Sequence, residues 1–208
     1  MFFTPGNHKD QGLDFNPFKA IVSPRPIGWI SSISKSGDVN LAPYSFFNAI
    51  SDSPPMVGFS ASPSDSSDSH DGEKDSLAYI RETAEFVVNI VSKAQIDAMN
   101  ASSAALPRGQ SEFGHAGLEE LASEIVAAPR VKGSPSQLEC RLWQIIDLPT
   151  AANGRRNHLV IGEVIGIHID QDVIVDGKVD VTRYQPVSRL GYKDYAAIEN
   201  VFALARPE

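Results

Sequence analysis

Read for its hydrophobic and polar positions, the chain runs mostly strand–turn–strand, with a few helical segments inserted. Residues 1–20 read as a polar arm broken by Pro5, Gly6, Gly12 and Pro17. A strand pattern follows over 26–34 (PIGWISSIS), and KSGD at 35–38 supplies a turn. The next stretch is 39–60 (VNLAPYSFFNAISDSPPMVGFS); from Val39 to Ser51 it carries no charge, holds three aromatic residues and contains Pro43. A polar loop rich in Ser and Asp is expected over 62–73. Leu77, Ile80 and Ala84 stand at helical spacing and predict a helix over 74–86, with Asp75 or Ser76 as its N-cap. The β-branched run at 86–91 reads as a buried strand, and a second helix begins near Ser92. An irregular segment over 106–120 crosses to 125–131. Strand patterns dominate the last third, at 138–146 and 158–170 around the loop DLPTAANGRRN. The pair Asp176 and Gly177, set between alternating apolar residues, predicts a hairpin over 173–181. There is no internal repeat. One domain over residues 1–208, with its arm, is expected, and this order favours an antiparallel barrel or an α+β domain over a doubly wound parallel sheet.

Within the uncharged stretch neither face is cleanly polar. Leu41, Pro43, Phe47 and Ala49 fall on one side, and Ala42, Tyr44, Phe46 and Ile50 on the other. Pro43 cannot donate to a ladder, which implies an edge, a bulge or a break in pairing. Buried amides beside such a break need other partners. An ordinary core strand with a bulge accounts for these features, and so does a slot for a flat heteroaromatic ring. Downstream, EKDS at 73–76 begins a helix, where free N–H groups and the helix dipole attract anions. Lys74 adds a positive charge, and Ser60 and Ser76 carry hydroxyl donors. A plain cap on a solvated turn is the commoner explanation of EKDS. Together the two segments describe a ligand with a flat ring and a phosphate. Flavin mononucleotide (FMN) fits, but composition and spacing do not select it.

Composition narrows the partners. Hydrophobic residues make up 42% and charged residues 21%, an ordinary folded composition. A net charge of -8 without a basic run argues against nucleic acid or an anionic membrane as partner. No apolar run approaches the roughly 18 residues of a membrane span, and the N-terminus lacks a secretion-signal pattern, so a cytoplasmic location is expected. Cys140 is the single cysteine and reads as a buried, inert thiol. The five histidines share no metal-ligand spacing, and His168 reads as a solvated alternating position, so no metal is expected. GxGxxG, GxxxxGK, HExxH and GxSxG motifs are absent, which leaves no side chain to name as catalytic and points to chemistry delegated to a cofactor.

Several of these segments carry a resemblance. SPRPIGWISSIS, GDVNLAPYSFFNAISDSPPMVGFS, KDSLAYIRETAEFVVNIV, FGHAGL, APRV…LECRL, GEVIGIHID and RLGYKDYAAI occur in the order of the flavin reductase-like, FMN-binding split-barrel proteins, and the chain resembles that family over most of its length beyond the arm. The resemblance implies a mainly β (α+β) fold, a six-stranded antiparallel split β-barrel of Greek-key character with a few peripheral helices. It implies a homodimer with FMN near the interface, and a small apolar-sided barrel that needs outside cover agrees with that. Tyr44, Ser45, Phe46, Phe47 and Asn48 would line the isoalloxazine, largely through backbone groups. Ser60, Ala61, Ser62, Lys74, Asp75 and Ser76 would lie at the phosphate end; where the family usually reads KDT this chain has KDS, which keeps the hydroxyl. Trp29, Ser31 and Ser32 are further cofactor candidates, and His115 and Arg189 would face the substrate. The implied activity is an oxidoreductase in which NAD(P)H reduces FMN and electrons pass to a flavin, a metal complex or a protein. An FMN-binding electron carrier or sensor without turnover would use the same residues, and a split barrel without flavin would use the uncharged stretch only as dimer core.

Overall fold

The computed structural model describes residues 1–63 and 72–207. The polar loop expected over 62–73 therefore lies, except for its ends, outside the described residues. In chain order the strands are β1 Arg25–Pro26, β2 Gly28–Ile33, β3 Val39–Tyr44, β4 Phe47–Asp52, β5 Pro55–Ala61, β6 Glu85–Ile90, β7 Glu120–Leu121, β8 Arg130–Val131, β9 Ser136–Asp147, β10 His158–Ile169, β11 Ile174–Val175, β12 Lys178–Val179, β13 Val187–Arg189 and β14 Tyr195–Ala197. The helices are α1 Phe18–Ile21, α2 Asp75–Thr83, α3 Ile96–Ala101, α4 Glu112–His115 and α5 Val181–Tyr184.

Seven strands form one antiparallel sheet in the order β3-β2-β6-β9-β10-β5-β4. β3 and β4 are its two edges, yet only Ser45 and Phe46 separate them in sequence. Two residues cannot span a flat seven-stranded sheet, at under about 4 Å of chain per residue and nearly 5 Å per strand. The sheet is therefore curled until its edges come together at the Tyr44 and Phe47 ends while staying unpaired along their length, which is an antiparallel split barrel. The main sheet has seven strands where the resemblance implies six, and the uncharged stretch forms two of them, β3 and β4, on its opposite edges. Pro43 does not break pairing: it sits opposite Trp29 in the β2–β3 register. Its missing N–H falls on the outward side of an edge strand, where a donor would have no ladder partner.

The barrel interior is filled from alternate positions. Ile30, Tyr44, Phe59, Phe86, Val88 and Val160 meet there, and Phe59 lies 4.7 Å from Tyr44 and 5.7 Å from Phe86 between ring centroids. Room for Phe86 is made by Gly162 on β10, where an added Cβ would come within 2.5 Å of the ring. Leu77 and Ile80 of α2 complete this core. The helix is shorter than its periodicity predicts: Ala84 turns left-handed (φ 58) and Glu85 already belongs to β6. On the opposite face of β2 and β3, Trp29 and Leu41 pack with Met99 of α3, Phe113 of α4, Val131 and Val187. Both faces of these strands are thus covered within the chain, which explains their even hydrophobicity. Cys140 is fully buried in the interior, and burial pushes its thiol well above the ordinary range.

Two further expectations are settled by hydrogen bonds. Asp176 (φ 50) and Gly177 (φ 74) form the two-residue turn joining β11 to β12, as their positive φ values require. His168 is not a solvated position: its Nε2 lies 2.5 Å from Oε1 of Glu139. Glu139, on the paired strand β9, is fully buried and also accepts the N–H groups of Glu124, Ile125 and Val126. Burial alone would raise this carboxyl; the three N–H groups and the histidine outweigh it and hold the group down at about 2.

β1, β13 and β14 form a separate small sheet that receives the arm. Arg25 of β1 is buried there and donates to the carbonyls of Lys19, Val22 and Leu190, the last at 2.8 Å. It straps the arm to the C-terminal strands.

Candidate functional site

α2 begins without a side-chain cap. Lys74 occupies the N-cap position in extended conformation (φ -71, ψ 147), and only its carbonyl serves the helix, accepting the N–H groups of Leu77 and Ala78. The expected caps, Asp75 and Ser76, instead stand inside the first turn, and each is engaged elsewhere. Asp75 accepts Nε of Arg108 at 2.7 Å. Ser76 is buried and donates its hydroxyl to Oδ1 of Asn40 at 2.5 Å. Asn40 in turn donates Nδ2 to both carboxylate oxygens of Glu112, at 3.1 and 3.0 Å, and Glu112 also accepts the outward N–H of Leu41 at 2.8 Å. Glu112 thereby satisfies an outward donor of the β3 edge two residues from Pro43. Burial pushes its carboxyl up, against the pull of the Leu41 N–H and the Asn40 amide.

Tyr44, at the end of β3, projects beneath this turn. Lys74 Nζ lies 5.7 Å from its ring centroid, and its hydroxyl is buried against the Ser76 side chain. Burial pushes that phenol up to about 12, so it stays a neutral donor. The uncapped helix start above it is a place where an outside acceptor fits.

The crossover from one sheet edge to the other adjoins the same corner. Phe46 is 43% exposed, with Lys19 Nζ at 5.9 Å and the Arg25 guanidinium at 5.8 Å from its ring centroid. Its carbonyl accepts Ser60 N–H at 2.8 Å, tying the crossover to β5. The Phe47 ring lies against Gly28, where a Cβ would approach it to 2.6 Å. Ser45 is half-buried, and Asn48 is exposed with Oδ1 accepting Ala49 N–H. Beyond Ser60, Ala61 is buried opposite His158, and exposed Ser62 borders a cavity of about 280 Å³ whose other walls include Glu73, Leu77, Arg155 and Arg156.

The expected residues thus fall into three groups. Residues 44–48, 60–62 and 74–76 meet around one corner of the barrel. Trp29 and Ser31 face away from it and are fully buried, Trp29 Nε1 donating to Ser102 at 2.8 Å and Ser31 to the Pro129 carbonyl at 2.5 Å. Ser32, on the alternate face of β2 with Ile30, is buried opposite Asn40 in the register. His115 is exposed at the end of α4. Arg189, opposite Arg25 in the small sheet, stacks 4.4 Å from the Tyr195 ring centroid and donates to the Tyr192 carbonyl at 2.6 Å. Sequence reasoning passed over Asn40, Arg108 and Glu112. Asn40 lay inside the quoted stretch as a lone amide; Arg108 and Glu112 reach their partners across 33 and 72 residues and leave no local pattern.

Comparison with known proteins agrees with the split-barrel fold. An uncharacterized protein of Halalkalibacterium halodurans is 36% identical over 187 residues, 89% of this chain and 87% of that one. The structure of nitrilotriacetate monooxygenase component B from Bacillus cereus superposes with a TM-score of 0.86 at 29% identity, covering 98% of each chain. That of the 2-nitrobenzoate 2-nitroreductase of Pseudomonas fluorescens superposes at 0.81 with 26% identity, covering 100% of this chain and 96% of that one. Residues 22–184 match the model of the flavin reductase like domain, and the chain belongs to that family.

Proposed function

We propose that this chain is an FMN-dependent oxidoreductase in which NAD(P)H is the electron donor and a flavin, a metal complex or a partner protein is the acceptor. The observation that carries the reading is the juxtaposition at one corner of an uncapped helix start bearing Lys74 with the aromatic crossover at 44–48. The residues present fit FMN on their own chemistry. The first-turn N–H groups of α2 and the Lys74 ammonium suit a phosphate dianion. The crossover backbone, outside the sheet ladder, offers amide groups to the polar edge of a flat ring, and Phe46 offers an apolar surface. Asn48 and Ser62 present exposed polar side chains at either end.

Bound FMN would supply hydride acceptance and electron transfer, so the protein is left with binding, orientation and exclusion of water. Lys74 and the helix start would fix the phosphate end, and residues 44–48 would orient the ring. Ser76, its proton committed to Asn40, would contribute its backbone N–H rather than its hydroxyl. A second copy of the chain would complete the exclusion of water: Phe46, Ile50, Trp143 and Ile167 are between 43% and 61% exposed, more apolar surface than one chain covers. The names of its structural relatives, a monooxygenase component and a nitroreductase, are consistent with electrons leaving to an external acceptor.

The test is anaerobic stopped-flow of the FMN-loaded protein against NADH and NADPH. Bleaching of the flavin bands with either nucleotide is expected. Retention of FMN without bleaching at millimolar nucleotide would refute the reductase and leave an electron carrier, while failure to bind FMN would refute both.

A further inference from the structure

The first turn of α2 carries a difficulty for any anion: its first residue is Asp75, and Glu73 precedes the N-cap. A carboxylate there serves the helix dipole itself and repels a phosphate. Among the described residues each of these acids is paired. Glu73 accepts Nε of Arg81 at 3.2 Å, and Asp75 accepts Nε of Arg108 at 2.7 Å with the carboxylate only 17% exposed. Arg108 also donates Nη2 to the Glu73 carbonyl at 3.3 Å, so its guanidinium bridges both sides of Lys74. The same segment returns at Glu112, which holds Asn40 and through it Ser76. The third acid near the turn, Glu112, is therefore buried behind Asn40 rather than presented to a ligand. Residues 106–117 grip the turn from outside at Asp75 and from inside at Ser76.

We propose that Arg108 is a positioning residue that makes this turn acceptable to a phosphate, by holding the Asp75 carboxylate aside and offsetting its charge; the inference rests on the reading of the turn as the phosphate end of the FMN site. With Arg108 present the group Lys74, Asp75 and Arg108 carries one net positive charge; without it the group is neutral, with the acid free to swing toward the ligand. The specificity that follows is for phosphorylated over unphosphorylated flavin.

The experiment is a fluorescence titration of the flavin-stripped full chain with FMN and, separately, riboflavin, which lacks the phosphate. Arg108→Gln is expected to weaken FMN about fivefold to tenfold, the size of one uncompensated charge near a dianion in a solvated site, and to leave riboflavin unchanged. Adding Asp75→Asn to Arg108→Gln is expected to restore FMN affinity, and raised salt to shrink the effect. Equal weakening of both flavins by Arg108→Gln would overturn the proposal in favour of a purely structural role, as would failure of Asp75→Asn to restore binding. Lys74→Ala separates the two readings. If it weakens FMN selectively while Arg108→Gln does nothing, the Arg108 inference falls and the phosphate site stands. If Lys74→Ala leaves the preference for FMN untouched, both fall.

Discussion

Acid should destabilise the fold through one identifiable group. Glu139 is fully buried on β9, accepts three backbone N–H groups and His168, and is held at about 2 against 4.5 for an ordinary glutamate. Its folded value is depressed, so its contribution is complete above 4.5 and is lost as pH falls from there toward 2. The full difference corresponds to about 3 kcal/mol, of which about 2 kcal/mol is gone by about pH 3. The measurement is urea unfolding at about pH 6 and about pH 3 for the native chain and for Glu139→Gln. At the higher pH the variant should already be less stable by about 3 kcal/mol, since an amide cannot accept all four donors. Between the two pH values the native chain should lose about 2 kcal/mol more than the variant, because all other carboxylates are common to both. Parallel losses would refute the reasoning and assign acid unfolding to other groups.

Gly162→Ala places a methyl against the Phe86 ring and should cost about 1–3 kcal/mol in urea unfolding, by overpacking a core without spare volume. Lys74→Ala should weaken FMN by about 1.5–3 kcal/mol in a fluorescence titration if the ammonium meets the phosphate; an unchanged affinity would remove Lys74 from the site. Trp29→Phe deletes the Nε1 bond to Ser102 and should cost about 1 kcal/mol of stability while leaving FMN affinity within twofold, as expected for a residue facing the second core layer.

Local patterns read well from the sequence, and long-range closures did not. The strands at 26–34, 86–91 and 138–146, the hairpin turn at Asp176 and Gly177, and the buried thiol all follow from properties of a few adjacent residues. The helix over 74–86 ran too long because periodicity continues through Ala84, whereas β6 pairing with β2 and β9 claims the chain from Glu85. The main sheet holds seven strands where the resemblance implies six, and nothing in Tyr44, Ser45 and Phe46 announces that the strands on either side belong to opposite edges. His168 looked solvated because its partner, Glu139, lies on another strand 29 residues away. Helix-start chemistry located the beginning of α2, one or two residues late, since Lys74 rather than Asp75 or Ser76 is the N-cap. The direction of the Ser76 hydroxyl was set by Asn40 and Glu112, which only the folded chain brings together.

The uncharged stretch also separates what the fold needs from what a ligand needs. Along β3 both faces are covered inside the chain, by the barrel interior on the Tyr44 side and by the Trp29 and Phe113 layer on the Leu41 side. Absence of charge from Val39 to Tyr44 is therefore explained without a cofactor, and Pro43 by the sheet edge. β4 is different: Asn48, Ala49 and Ile50 are exposed, Ile50 at 52%, and Phe46 just before it at 43%. An edge strand facing water is normally guarded by charge, and the first such charge here is Asp52. The part of the motif that folding alone leaves unexplained is thus 46–50, and it adjoins the Lys74 corner. The unexplained part, rather than the whole motif, is what argues for a flat cofactor and a second subunit against this edge.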